Sequence, residues 1–197
     1  QEVYDFMKPV FGANIVYDAS KKNRQVQFTS MANGLRTNRL KSYVAKDEEE
    51  TRQYLRKEWG DKEGQVDLLT ALSELTILTA SRCLHGDDVR AHIFKDVQKI
   101  YHDLDAGVTP LTVFWPNAPT KAHKRRNEAR EEMVRLFSKV IAARRANPEK
   151  HDGTDILSIF MDIKYKDGTP IRDDEITGLL IALLFAGQHT SCITSTW

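Results

Sequence analysis

Apolar residues return every three or four positions along most of this chain, the spacing that marks the buried stripe of a helix. From about residue 36, Leu40, Tyr43, Val44, Thr51, Tyr54 and Leu55 keep that spacing, and Gly60 ends the run. Residues 66–85 predict a second helix with a broad apolar face of Leu68, Leu72, Leu75, Ile77 and Leu78, closed by Gly86. A third, at about 89–105, carries Ile93, Phe94, Val97, Ile100, Tyr101 and Leu104. A long charged helix at about 121–146 has Ala129, Met133, Leu136, Phe137 and Val140 as its inner stripe and stops at Asn147-Pro148. Residues 154–164 predict a short helix, and Lys166-Asp167-Gly168-Thr169-Pro170 a tight turn. Two stretches break the period. Residues 1–20 are punctuated by Pro9, Gly12 and Asn14 and dense in aromatics (Tyr4, Phe6, Phe11, Tyr17), which predicts irregular structure. Between Gly107 and Pro119 lies Leu111-Thr112-Val113-Phe114-Trp115, an apolar loop that either folds onto its own core or forms a lid or membrane-touching tip. Asp47 falls on the first helix's apolar stripe, a place for a gap that water reaches.

The last helix has a different pattern. Asp173 is the expected N-cap, and Asp174 and Glu175 suit the positive end of the helix dipole. The next three turns are almost wholly apolar, and the chain then switches to Ala186-Gly187-Gln188-His189-Thr190-Ser191. A helix that is apolar all round belongs in the middle of a protein, where each unpaired polar atom costs about 1–3 kcal/mol. Gly187 adds up to ~1 kcal/mol against alanine. Together Ala186 and Gly187 flatten one face, so that a large flat group could approach the backbone. The Thr190 hydroxyl can bond back to a carbonyl and open the helix locally, and His189 exchanges protons near neutral pH. Side by side, these features suggest proton delivery to a bound cofactor; the alternative is a buried polar knot that fixes helix packing.

Composition narrows the class. At 41% hydrophobic and 29% charged over 197 residues, the chain is globular and long enough for one domain with a core. A net charge of +1 gives no general pull toward nucleic acid, and no such partner is expected. The local basic run Lys121, Lys124, Arg125, Arg126 reads as a solvated helix face, with acidic lipid headgroups as the other reading. Cys83 and Cys192 lack a metal-type spacing and the histidines form no H-x-x-x-H pair, so no metal site is expected within the chain. No signal peptide is expected, since Gln1 opens on mixed polar sequence, and the run from Leu179 to Gly187 is far short of the ~20 residues of a membrane span. A Gly-rich phosphate loop and a G-x-S-x-G elbow are both missing.

Ala186-Gly187-Gln188-His189-Thr190-Ser191 resembles the A-G-x-x-T oxygen-binding helix of cytochrome P-450 monooxygenases. Most of that family has an acid before the threonine; His189 in that place is similar to the sterol 14α-demethylase branch. Tyr4-Asp5-Phe6-Met7-Lys8-Pro9-Val10-Phe11-Gly12, followed by Val16-Tyr17-Asp18, is similar to the loop which that branch places over haem and substrate. Glu74-Leu75-Thr76-Ile77, Ala80-Ser81-Arg82-Cys83-Leu84 and Asp173-Asp174-Glu175-Ile176 are further branch-like strings, in order along the whole chain.

The resemblance implies a mainly α fold: residues 1–197 as one partial P-450 domain, an irregular loop at 1–20 followed by about six helices that end in the oxygen-binding helix. It implies a haem cofactor, with Ala186 and Gly187 against its face, Tyr4 and Tyr17 at its propionates, and Arg24 standing in for a lysine that the family often has near residue 25. Thr190 would sit where oxygen is activated, and His189 would relay protons with Asp105 as its partner. Phe6, Met7, Phe11, Ala182, Phe185 and Ala186 would line an apolar pocket for a flat sterol. The implied activity is removal of the sterol C14 methyl in three oxidations, with molecular oxygen and electrons from an NADPH-dependent reductase. The implied place is the endoplasmic reticulum membrane in a eukaryote, reached through an N-terminal part outside this chain and the 107–119 loop, or the cytoplasm in a bacterium. The family's E-x-x-R pair and its F-x-x-G-x-x-x-C loop have no counterpart here, so the axial cysteine is expected outside this chain and the fragment alone is expected to be inactive. Two rivals stand beside this reading: another haem-thiolate oxygenase of lipophilic substrates, and a helical scaffold without chemistry.

Overall fold

The first twenty residues are more regular than their Pro and Gly content suggests. The computed structural model describes residues 2–60, 63–92, 94–151 and 153–197. Glu2–Met7 is a 3-10 turn that runs into a short helix, α1 (Lys8–Phe11), with Pro9 in its first turn. Irregular structure, expected over all of 1–20, is confined to the turns that follow. Gly12 (φ 102°), Asn14 (φ 60°) and Val16 (φ 45°) all lie at positive φ, which is a genuine strain for a β-branched residue.

That turn is held by the next helix, α2 (Lys21–Gly34), capped by the Ser20 hydroxyl on the Asn23 N–H at 3.2 Å. The Val16 N–H donates to Gln27 Oε1 at 2.9 Å, and Gln27 Nε2 donates to the Asn14 carbonyl at 2.8 Å. Sequence periodicity missed α2 because what it buries is Gln27, Met31 and Gly34, which make no apolar stripe.

α3 (Thr37–Tyr54) continues through a π turn, Leu55–Trp59, to Gly60. Tyr43 and Tyr54 of its expected stripe are buried, but Leu40 and Val44 are exposed. The inner face of α3 is partly polar instead. Glu50, buried, pairs with Arg90, and Asp47 accepts the Cys83 S–H at 3.3 Å. Asp47 therefore has a partner of its own, and burial raises its pKa. α4 (Leu68–Leu84) starts at Asp67, which accepts the Leu69 and Thr70 N–H groups, and ends before Gly86 at φ 97°. The expected third helix is divided into α5 (Asp87–His92) and α6 (Phe94–Asp105); Ile93 and the Phe94 side chain lie outside the described residues.

The 107–119 segment forms a short helix, α7 (Pro110–Phe114), which turns its apolar side chains outward. Leu111, Val113, Phe114 and Trp115 are exposed, Phe114 at 87%, while Thr112 is buried. The Thr112 hydroxyl donates to the Gly107 carbonyl at 2.9 Å and lies 3.0 Å from Nε2 of buried His123. α8 (Lys121–Ala146) follows. Its basic first turns are only partly a solvated face: Lys121, Lys124 and Arg125 are exposed, but Arg126 is fully buried and donates to the Pro116 carbonyl at 2.8 Å. Gly107 permits this, since a Cβ there would sit 2.3 Å from the Arg126 Cβ.

α9 (Ile156–Met161) and α10 (Asp173–Thr196) complete the chain. Helix α10 begins one residue after its cap, Arg172, whose N–H donates to Glu175 Oε2 at 3.0 Å; Asp173, the expected cap, pairs with Arg145. α10 is the axis of the packing, with α4, α8, α9 and α1 around it. Ile176, Leu179, Leu180 and Ile181 of α10 are fully buried with Met133 and Ile141 of α8 and Ile156, Leu157 and Phe160 of α9, each side chain worth about 1.5–3 kcal/mol. By length and composition α10 could cross a membrane, but half of its apolar window is buried against these neighbours.

Candidate functional site

Three elements converge at the second half of α10: the end of α6, the first turns of α4, and the loop from Tyr4 to Asp18. The helix's own small residues come first. Ala186 and Thr190 are exposed, and a Cβ built on Gly187 would meet no atom within 4 Å. Spacings of one and four residues put these three on one helix face. Thr190 Oγ1 donates to the Ala186 carbonyl at 2.7 Å and also lies 3.2 Å from the Gly187 carbonyl. The hydroxyl thus bonds back into the helix as its sequence position suggests.

On the adjoining face His189 Nε2 donates to Asp105 Oδ1, the last residue of α6, at 2.9 Å. The side chains are 48% and 34% exposed, so the pair sits at the rim of a cavity and not in the core. That cavity, of about 520 Å³, is lined among others by Ser73, Glu74, Tyr101, His102 and Gln188. Gln188 is buried; it accepts the Tyr101 hydroxyl at 3.3 Å and its amide donates to Ser73 Oγ at 2.5 Å. Burial, with Asp105 nearby, pushes the Tyr101 phenol well up, so it remains a donor at neutral pH. Tyr101 and Ser73 had no place in the sequence-based site. The signal for Tyr101 was available: a tyrosine on an apolar stripe needs a partner for its hydroxyl.

The 4–18 loop lies across the other side of α10. Phe11 and Phe185 meet edge to face with centroids 6.0 Å apart, and Phe185 also contacts Tyr101 at 5.1 Å. Met7 and Ala182 are partly buried on the same core. Phe6 is half-buried near the start of α1. Tyr4 and Tyr17 stack at 4.0 Å with planes 10° apart. Arg24 also holds the backbone of this loop. Its Nε donates to the Val16 carbonyl at 2.8 Å, and its Nη2 to the Tyr17 and Ala19 carbonyls at 3.0 Å each, so two of its three nitrogens hold the strained turn.

The loop is fastened to the start of α10. Asn14 Nδ2 donates to buried Glu175, and Arg130 Nη2 bridges the Phe11 and Asp174 carbonyls at 3.0 Å each. Arg130 is 9% exposed, and burial lowers its pKa to about 10, a charge held largely by backbone carbonyls. Both cysteines are buried. Cys192 Sγ points back to the His189 carbonyl at 3.6 Å. Among the described residues no three His, Cys, Asp or Glu side chains come together as a metal centre would need.

Comparison with known proteins adds to this geometry. The sequence pattern of the family described as Cytochrome P450 matches residues 2–197. The chain is 48% identical over its full length to obtusifoliol 14-alpha demethylase of Sorghum bicolor, of which it covers 39%. It is 47% identical to sterol 14-demethylase of Arabidopsis thaliana, covering 40% of that protein. It is 41% identical over 199 aligned residues to human lanosterol 14-alpha demethylase, covering 38%. Among solved structures, retinoic acid-bound cyanobacterial CYP120A1 superposes with a TM-score of 0.80 at 21% identity, over 95% of this chain and 41% of that one, a likeness of fold. The chain thus spans about two-fifths of the length of the relatives it matches.

Proposed function

We propose that this chain, which belongs to the cytochrome P450 family, is the portion of a sterol 14α-demethylase that runs from the loop over the cofactor to the oxygen-binding helix. The residues present suit a haem. Ala186, Gly187 and Thr190 leave an open, nearly flat face on α10, and Tyr4 and Tyr17 stack on one another in the fastened loop. Those residues would hold the group, with Nη1 of Arg24 left for a carboxylate and a thiolate supplied from outside this chain. When bound, the haem would supply oxygen activation.

The chain's own side chains do the rest. Phe11, Phe185, Ala182 and Met7 give an apolar wall that orients a flat sterol and excludes water, with Phe6 at its edge. The Thr190 hydroxyl, already donating to Ala186, is free to accept a proton-bearing group. His189 holds its Nε2 proton against Asp105 Oδ1 at 2.9 Å, which fixes the ring beside Thr190. The pair holds a proton beside Thr190 and is refilled from the cavity behind it. Electrons come from an NADPH-dependent reductase. The apolar tip of α7 above the exposed Lys121, Lys124 and Arg125 suits contact with the endoplasmic reticulum membrane.

The pairing of His189 with Asp105, from two elements 84 residues apart, carries this reading. Its test is made on the full-length enzyme. His189→Ala and Asp105→Ala should each lower sterol turnover by about 10²-fold while type-I sterol binding spectra stay near normal. Normal turnover in either variant removes the relay. A panel of sterols in the same binding assay separates this enzyme from an oxygenase of other lipophilic substrates.

A further inference from the structure

A second cavity, of about 580 Å³, lies on the outer side of α3 and α4, among Glu50, Tyr54, Glu58, Arg90 and Asp96. It shares one lining residue with the cavity behind His189: Glu74. Glu74 is half-buried on α4, next to Ser73, which the Gln188 amide holds at 2.5 Å. On its outer side Glu74 Oε2 accepts the Tyr54 hydroxyl at 3.0 Å. Burial and Glu74 push that phenol up to about 12, so Tyr54 stays a fixed donor and does not compete for protons. One carboxylate oxygen is thereby anchored and the other is left for water.

The inner cavity has room for a chain of waters and is lined by groups that can bond to them: Thr70, Ser73, His102 and Asp105. Besides His189 and Glu74 themselves, its remaining walls are Leu69, Tyr101, Gln188, Cys192 and Ile193. Proton transfer needs partners in direct contact or joined through water. Glu74 is the titratable side chain that faces both spaces.

We propose that Glu74 is the intake of the proton relay: it takes protons from the outer cavity, whose charged walls open to solvent, and passes them through water in the inner cavity to the Asp105–His189 pair. This inference rests on the relay proposed above. Each cycle is balanced, since the Glu74 carboxyl gives one proton inward and recovers one from solvent. Glu74 touches neither sterol nor cofactor, so it is a positioning and supply residue and not a catalytic one.

The test uses the full-length enzyme. Glu74→Gln keeps the acceptor for Tyr54 and loses the exchangeable proton, and should lower turnover by about three- to tenfold. The solvent deuterium isotope effect on turnover should rise with it, and peroxide released per NADPH consumed should increase. Glu74→Asp should restore most of the turnover. Glu74→Ala should be slowed similarly and be rescued by added acetate or formate, small acids that fit the opened cavity, which a merely structural lesion would not show. Carbon-monoxide and type-I sterol spectra should match wild type in all three. Wild-type turnover and isotope effect in Glu74→Gln, or a slowed Glu74→Ala that small acids fail to rescue, overturn the proposal. If His189→Ala is slow while Glu74→Gln is normal, this intake fails and the relay stands; if both are normal, the relay itself fails.

Discussion

Two glycines nine residues apart on α10 should respond in opposite ways to the same substitution. A Cβ at Gly178 would lie 2.1 Å from the Phe11 carbonyl oxygen and 2.9 Å from Ile15 Cγ1. Carbon and carbonyl oxygen need about 3.3 Å, so the loop backbone would have to retreat by about 1.2 Å. That carbonyl is fixed by Arg130 Nη2 at 3.0 Å, and the loop by Asn14 on Glu175. Overpacking against a backbone that cannot rotate away belongs at the upper end of the usual ~1–3 kcal/mol. Alanine returns up to ~1 kcal/mol of helix propensity, which leaves Gly178→Ala less stable by about 2 kcal/mol. At Gly187 the new methyl meets nothing of this chain, so the same propensity term should make the apoprotein slightly more stable. The methyl would instead intrude on the face assigned to the haem. Urea unfolding of the full-length protein, followed by circular dichroism, should rank Gly187→Ala above wild type and Gly178→Ala below. Haem content by Soret absorbance should fall for Gly187→Ala. Equal stability of the two variants refutes the packing argument, and unchanged haem content refutes the assignment of that face.

Three further outcomes follow from buried polar groups and the exposed tip. His85 is fully buried, and burial first, then the Arg144 charge, depress it from 6.5 to about 3. The unfolded chain takes up a proton below pH 6.5 that the folded one refuses. Stability should therefore fall as pH drops from 6.5 toward 3, by about 1.4 kcal/mol per pH unit. Urea midpoints between pH 6.5 and 5 should show this slope, and His85→Asn, which can keep the bond to Ser81, should flatten it. Gln27→Leu strands the Val16 N–H and the Asn14 carbonyl and should cost about 2–3 kcal/mol; limited proteolysis should then nick residues 12–18 faster. Replacing Phe114 and Trp115 together by serine should weaken binding to anionic vesicles by at least about tenfold with stability unchanged, and unaltered partitioning would remove the membrane role of α7.

The sequence exposes those parts of the fold whose cause is local. The apolar stripes of α8 and α10 are read directly because burying apolar area is what sets them in place, whereas of the stripe expected for α4 only Ile77 is fully buried and Leu68 is exposed. Helix α2 is invisible to that logic. It is positioned by Gln27 reaching back to a strained turn, an interaction that no periodicity records. Leu40 and Val44 mislead for the converse reason: they keep helical spacing, while α3 turns Asp47 and Glu50 inward to meet Cys83 and Arg90. Each of those contacts joins residues 36 or 40 positions apart. Arg126 shows the same limit, since only the approach of Gly107 and the Pro116 carbonyl tells that this member of a basic run is buried.

The polar cluster on α10 was legible as an anomaly, and its partners make it an arrangement. Gln188 faces Tyr101 and Ser73, His189 faces Asp105, and Thr190 turns back on its own helix beside an open face. One turn of helix thus separates a flat apolar face from a cavity lined by polar side chains, with His189 and Thr190 adjacent at the boundary. A bulky residue at 186 or 187 would thicken that boundary, and an apolar residue at 188 would strand Ser73 and Tyr101 together. Under the proposed relay the small residues and the polar ones answer to one requirement: a proton must cross a helix that otherwise serves as the core of the protein. Because α10 is buried continuously from Glu175 to Ile181 and largely exposed from Ala186 on, the crossing can stay polar without loosening the packing that holds the loop above it. Within this architecture Gly187, Gln188, His189 and Thr190 are interdependent. A double variant Gln188→Leu with Ser73→Ala should consequently be milder than Gln188→Leu alone, with a coupling of about 1 kcal/mol in urea unfolding; strict additivity would show that Gln188 does not act through Ser73.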